Sequence, residues 1–182
     1  MVTARTDSQT APGDLEQVRA LLNSWLIPND SRQPSDRFDD YSKPLQLTDD
    51  DASDLKSLRD DLRHLVEKSQ TAEDRFQTWL TRLKVRPVTR EGEIQFQARG
   101  GRTGEITIFV LNAMKDKQWD RLKACPDCRW VFYDHTRNGS KRWCMMNASG
   151  PQSRGCGTIA KVRNYREREK SSAEDPAERK SP

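Results

Sequence analysis

Four cysteines carry the strongest chemical signal in this 182-residue chain: Cys125, Cys128, Cys144 and Cys156, all in its last third. Cys125 and Cys128 bracket Pro126-Asp127, a knuckle that brings two thiolates onto one tight turn. Fifteen residues then separate Cys128 from Cys144, enough for the chain to travel out and return to the same point. Paired soft sulfur donors from two segments suit tetrahedral zinc. The expectation is one structural zinc ion held by Cys125, Cys128, Cys144 and Cys156. His135 stays open as a fourth ligand in place of Cys156, because imidazole also suits zinc and the gap before Cys156 is long.

The charge is concentrated around these cysteines. Residues 119–170 hold 12 Lys and Arg against 5 Asp and Glu, a net of +7, whereas residues 1–118 hold 18 against 20, a net of −2. A local excess of this size is the electrostatic footprint expected on phosphate. Arg137, Lys141 and Arg142 sit on a turn between the second and third cysteines, where a metal-tied backbone lowers the entropy cost of positioning them. Lys161, Arg163 and Arg166 follow the fourth cysteine. These six are the candidate nucleic-acid contacts, and duplex DNA is the expected partner. Trp130, Phe132 and Trp143 read as packing around the metal rather than as stacking platforms. No His or Glu stands at a spacing that gives a general base beside the metal. Glycine-rich phosphate loops and nucleophile elbows are also missing from the sequence, so an enzyme is not expected.

The elements that must position these residues follow from periodicity. Hydrophobic residues make up 33% of the chain and charged residues 33%, so the core is lean and zinc is expected to stabilise the C-terminal part. Residues 1–12 and 171–182 read as disordered tails. A helix is expected after Asp14, with Leu15, Val18, Leu21, Leu22 and Trp25 on one face. Residues 28–47 read as a long polar loop. Thr48 with Asp51 opens a second helix, and Thr71 with Asp74 a third. Strands are expected over 86–90 and 93–98 and a helix over 104–115, with Gly100-Gly101 between them. Trp130–Tyr133 reads as a strand and Asn138-Gly139 as a tight turn. Thr158 is expected to cap a last helix that runs to about Glu169. The fold class is therefore α+β: a mostly helical domain with a small hairpin over 13–118, then a small zinc module over 119–170 ending in a basic helix. No apolar run nears the roughly 20 residues a bilayer span needs, and the N-terminus lacks the apolar core of a signal peptide. The chain reads as cytoplasmic, with no membrane partner. In a reducing compartment clustered cysteines favour metal over disulfides.

The run CPDCRWVFYDHTRNGSKRWCMM, residues 125–146, resembles the zinc finger of the bacterial CGNR family. A cysteine pair, an aromatic strand, an Arg-Asn-Gly turn, basic residues and Trp-Cys occur in that order. The family's fourth cysteine opens a Cys-Gly-Asn-Arg sequence four residues after the third. Here Cys156-Gly157-Thr158-Ile159 stands in that role after an insertion within Met145–Gly155, and the signature Asn and Arg are missing. The resemblance implies an ABATE-like domain over 13–118, a small-molecule inducer on that domain, and DNA binding in stress- or ligand-responsive transcriptional regulation. The family's usual opening strand, with its Asp and Asn, has no counterpart in residues 1–12. A zinc-stabilised protein-interaction module that binds no nucleic acid is the alternative from a different class.

Overall fold

A computed structural model of the chain describes residues 9–28, 31–147 and 155–174, with side chains to Glu169. Helix α1, Leu15–Leu22, buries Leu15, Val18, Leu21 and Leu22 on one stripe, as its spacing requires. It stops there, so Trp25 is not on that helical face. Trp25–Leu26 forms strand β1, paired antiparallel with β2, Ser35–Asp36. The expected loop over 28–47 is thus partly ordered. It holds β2, a short helix α2 at Phe38–Ser42 and a 3-10 turn at Lys43–Leu45. Two tertiary contacts that local pattern does not encode organise it. Phe38 is buried, and Asp36 accepts a bidentate pair from Arg59 at 2.6 and 3.0 Å. The Arg59 guanidinium holds the Asp36 carboxyl well below the usual carboxylate range.

Helix α3, Asp49–Val66, starts as expected: the Thr48 hydroxyl accepts from the Asp51 N–H at 3.2 Å, with three acids in the first turn. Helix α4, Ala72–Arg82, buries Phe76 and Trp79, although the Thr71 hydroxyl makes no capping bond. Strands β3, Arg86–Arg90, and β4, Glu93–Gln97, form the expected antiparallel hairpin. Gly100, at φ +90°, turns the chain into α5, Gly101–Lys115. A Cβ at Gly100 would meet the Leu83 side chain at 2.6 Å, so glycine is needed for space as well as for the left-handed backbone. Strands β5, Leu122–Ala124, and β6, Val131–Tyr133, pair antiparallel across the knuckle. Helix α6, Cys156–Glu174, begins two residues before Thr158 and runs five past Glu169. Thr158 is therefore inside the first turn and is not the cap. Residues 171–174 are helical rather than part of a tail.

The main core joins α1, α3, α4 and α5 with Leu122, Val131 and Tyr133 of the β5–β6 pair. A second core contains the four cysteines and Phe132, with Trp130, Trp143 and Met145 packed against it. The period-two alternation of a strand explains how one short element serves both. Val131 and Tyr133 point to the helices, and Phe132 points to the sulfurs. The division at residue 118 is thus one of sequence, and the packing runs across it. Residues 9–12, expected in a tail, also belong to the fold, with Gln9 and Ala11 buried. Residues 1–8, 175–182 and 148–154, most of the stretch expected to be an insertion, lie outside the described residues. No helix among the described residues is long and apolar enough to cross a membrane.

Candidate metal centre and nucleic-acid interface

The knuckle is a hydrogen-bonded turn. The Arg129 N–H donates to the Cys125 carbonyl, and the Cys125 N–H donates to the Trp130 carbonyl, both at 2.9 Å. Arg129 takes the left-handed conformation, φ +58°, that closes it. The third cysteine arrives on the returning loop, and the fourth is the first residue of α6. Its turn is tied to that loop by the Gly157 and Thr158 N–H groups, which donate to Met145 and Met146 carbonyls at 3.0 Å. The Thr158 hydroxyl adds a bond to the Met146 carbonyl at 2.8 Å. A Cβ at Gly157 would meet the Met146 sulfur at 2.2 Å, so a larger residue there would displace the Met146 side chain.

All four sulfurs lie within 4.8 Å of one another and are buried. Cys128 and Cys144 are 3.5 Å apart, and Cys144 and Cys156 are 3.7 Å apart. Zinc–sulfur bonds of about 2.3 Å in a tetrahedron place sulfurs roughly 3.8 Å apart, whereas a disulfide requires about 2.05 Å. The donor set and spacing therefore fit one zinc ion with a closed shell. Hydrogen bonding from Cys128, then from Cys144 and Cys156, pulls the Cys125 thiol far down, so the cluster favours thiolate there. His135 is not the fourth ligand. Its Nε2 pairs with the Thr10 carbonyl at 2.8 Å, and its ring stands edge-on to Tyr133.

The helical body grips this centre through long-range bonds that the sequence did not disclose. The Asn23 side chain makes a two-way pair with the Val131 backbone, both bonds at 2.8 Å. Arg63 donates to the carbonyls of Leu22, Trp25 and Arg129 at 2.7, 3.1 and 2.9 Å. Burial pulls its guanidinium down to about 10, still charged at neutral pH. The Gln9 amide donates to the Cys144 carbonyl at 2.8 Å and accepts from the Trp130 indole at 3.1 Å.

A buried carboxylate wires the basic turn. Asp134 accepts from the Thr136 N–H and hydroxyl at 2.9 and 2.6 Å, the Lys123 ammonium at 2.7 Å and the Lys141 N–H at 2.8 Å. Burial opposes its charge, but those bonds win and hold the carboxyl well below the usual range. Lys123 also reaches the Gly139 carbonyl, and Arg121 donates to the carbonyls of Asp134, Thr136 and Arg137. The turn is therefore fixed before any ligand arrives.

The six candidate contacts divide in two. Arg137, Arg142, Lys161 and Arg166 are exposed and in no ion pair among the described residues, and Arg163 is exposed but paired. Lys141 is half-buried, with its ammonium 5.3 Å from the Phe132 ring centre. Arg163 bonds Asp127 of the knuckle at 3.4 Å, and Arg32 holds the same carboxylate at 3.1 and 3.3 Å. These two are tethered to the frame and help to aim it.

Residues 121–169 match the family model of the CGNR zinc finger. The matched range runs from before Cys125 to beyond Cys156 and along α6 to residue 169. The chain thus carries a zinc finger and a zinc site in its C-terminal third. No curated protein matches the chain.

Proposed function

We propose that this protein binds duplex DNA through its zinc finger and acts, without catalysis, in transcriptional regulation. The observation that carries the reading is the placement of Arg137, Arg142, Lys161 and Arg166. All four are exposed on two segments, the turn and α6, that meet at one closed metal centre. Cations carried on a positioned backbone release counterions on meeting phosphate. Stress or ligand responsiveness rests on the resemblance of residues 13–118 to an ABATE-like domain. A cleft of about 540 Å³ between β4, α5 and residues 12–15 supports it as a place for a small inducer. That cleft adjoins the segment at Gln9 that touches Cys144.

Affinity for a duplex is expected to fall linearly in log–log terms with salt, by about 0.9 per phosphate neutralised. Replacing Arg137, Arg142 and Arg166 together by Ala should flatten that slope by up to about three units. Fluorescence anisotropy of wild type and triple variant on one 20-base-pair duplex gives both slopes. Identical slopes, or no binding of the wild type at low salt, would move the module to the protein-interaction class.

A further inference from the structure

We propose that α6 enters the major groove of the duplex, with Val162 and Tyr165 facing the base edges. This rests on the reading of the module as a duplex binder. Residues 161–169 are exposed at every position, so the helix presents its whole circumference beyond Ala160. With side chains an α-helix is about 10–12 Å across, a match to a groove about 12 Å wide.

The order of side chains around α6 fits the groove. Val162 and Tyr165 are 44% and 63% exposed, large apolar surfaces that nothing in the helical body requires. At about 100° per residue they share one face. Lys161 and Arg168 flank that face on one side and Arg166 on the other, each roughly 70–90° round the helix. A centre for base edges with cations on both flanks matches a groove floor between two phosphate walls. Apolar atoms suit thymine methyls, which only the major groove displays. The Arg163–Asp127 contact, at 3.4 Å, turns the Arg163 side of the helix toward the knuckle. Arg163 lies about 100–160° from the two apolar residues, so the side of α6 that meets the knuckle is away from the exposed apolar face.

The test uses the zinc-loaded full chain and two 20-base-pair duplexes of one sequence. In the second, cytosines are replaced by glucosylated 5-hydroxymethylcytosine, which fills the major groove and leaves the phosphates unchanged. Wild type should bind the glucosylated duplex about ten-fold more weakly, with the same salt slope. V162A/Y165A changes only exposed side chains, so the fold is kept. It should bind the plain duplex about ten-fold more weakly and lose the difference between the two duplexes. Equal wild-type affinity for both duplexes, with the salt slope intact, would overturn the groove placement and leave the duplex reading standing. No salt-dependent binding to either duplex would overturn both.

Discussion

Stripping the zinc is expected to release α6 and the segment around Cys144 while α1, α3 and α5 keep their structure. Beyond its first turn α6 has little to hold it. Among its described side chains Ala160 is the last buried one, and the Arg163–Asp127 bond is half-exposed. Isolated helices of this length are marginal in water. Structural zinc in finger peptides contributes on the order of 10 kcal/mol, so its loss outweighs the two backbone bonds at Met145 and Met146. The β5–β6 pair has a different fate, because Val131 and Tyr133 pack in the main core and Asn23 and Arg63 bond the strand from outside the metal centre. Cys156→Ser should lower zinc affinity by more than about a hundred-fold, since losing a ligand costs more than losing a supporting bond. Amide hydrogen exchange of chelated protein would locate the change. Loss of protection confined to residues 140–170 is expected. Protection there equal to that of the zinc-loaded protein would contradict the role given to the metal.

The second large effect is expected at Asp134. Asp134→Asn removes the charge that Lys123 faces and puts amide hydrogens where N–H donors already point. Breaking a buried pair of this kind costs about 3 kcal/mol. Urea unfolding at pH 7 should show a lowered midpoint with an unchanged slope. The sign with pH follows from the depressed folded pKa. Its stabilisation is complete above the unfolded value of about 3.9 and is lost as pH falls through the lower folded value. The gap between wild type and variant should therefore shrink on acidification. A gap that stays constant down to pH 3 would show that the Asp134 charge is not what stabilises the turn.

The periodic features of the fold were legible in the sequence because burial leaves a repeat. The α1 stripe, the Thr48 cap, the hairpin and α5 all follow from spacing and turn residues. The zinc ligands were legible because sulfur donors are few and their spacing is geometric. What escaped were contacts between distant residues. Gln9 reaches Cys144 across 135 positions, and Arg63 reaches Arg129 across 66. A side chain that bonds a single remote carbonyl leaves no periodic trace. Asp36 and Arg59 escaped for the same reason, and with them the ordered part of 28–47. Asp134 belongs to no periodic stripe or metal-ligand spacing. Its Thr at +2 is a local signal of an Asx-type turn that could have marked it. The start of α6 was misplaced because Thr158 is a good capping type, yet its hydroxyl bonds the Met146 carbonyl across the loop.

The central claim is that zinc holds two cationic segments in one arrangement that binds duplex DNA. The measurement that meets it most directly is a salt series, about 50 to 200 mM, on one 20-base-pair duplex with zinc-loaded and chelated full-length protein. The zinc-loaded protein should bind with a log–log slope of about −3 or steeper, one cation per phosphate for the four exposed residues. The chelated protein should bind at least about ten-fold more weakly at every salt, with a flatter slope. Equal affinity and equal slope for the two forms would contradict the claim, as would a zinc-loaded protein that binds no duplex at low salt.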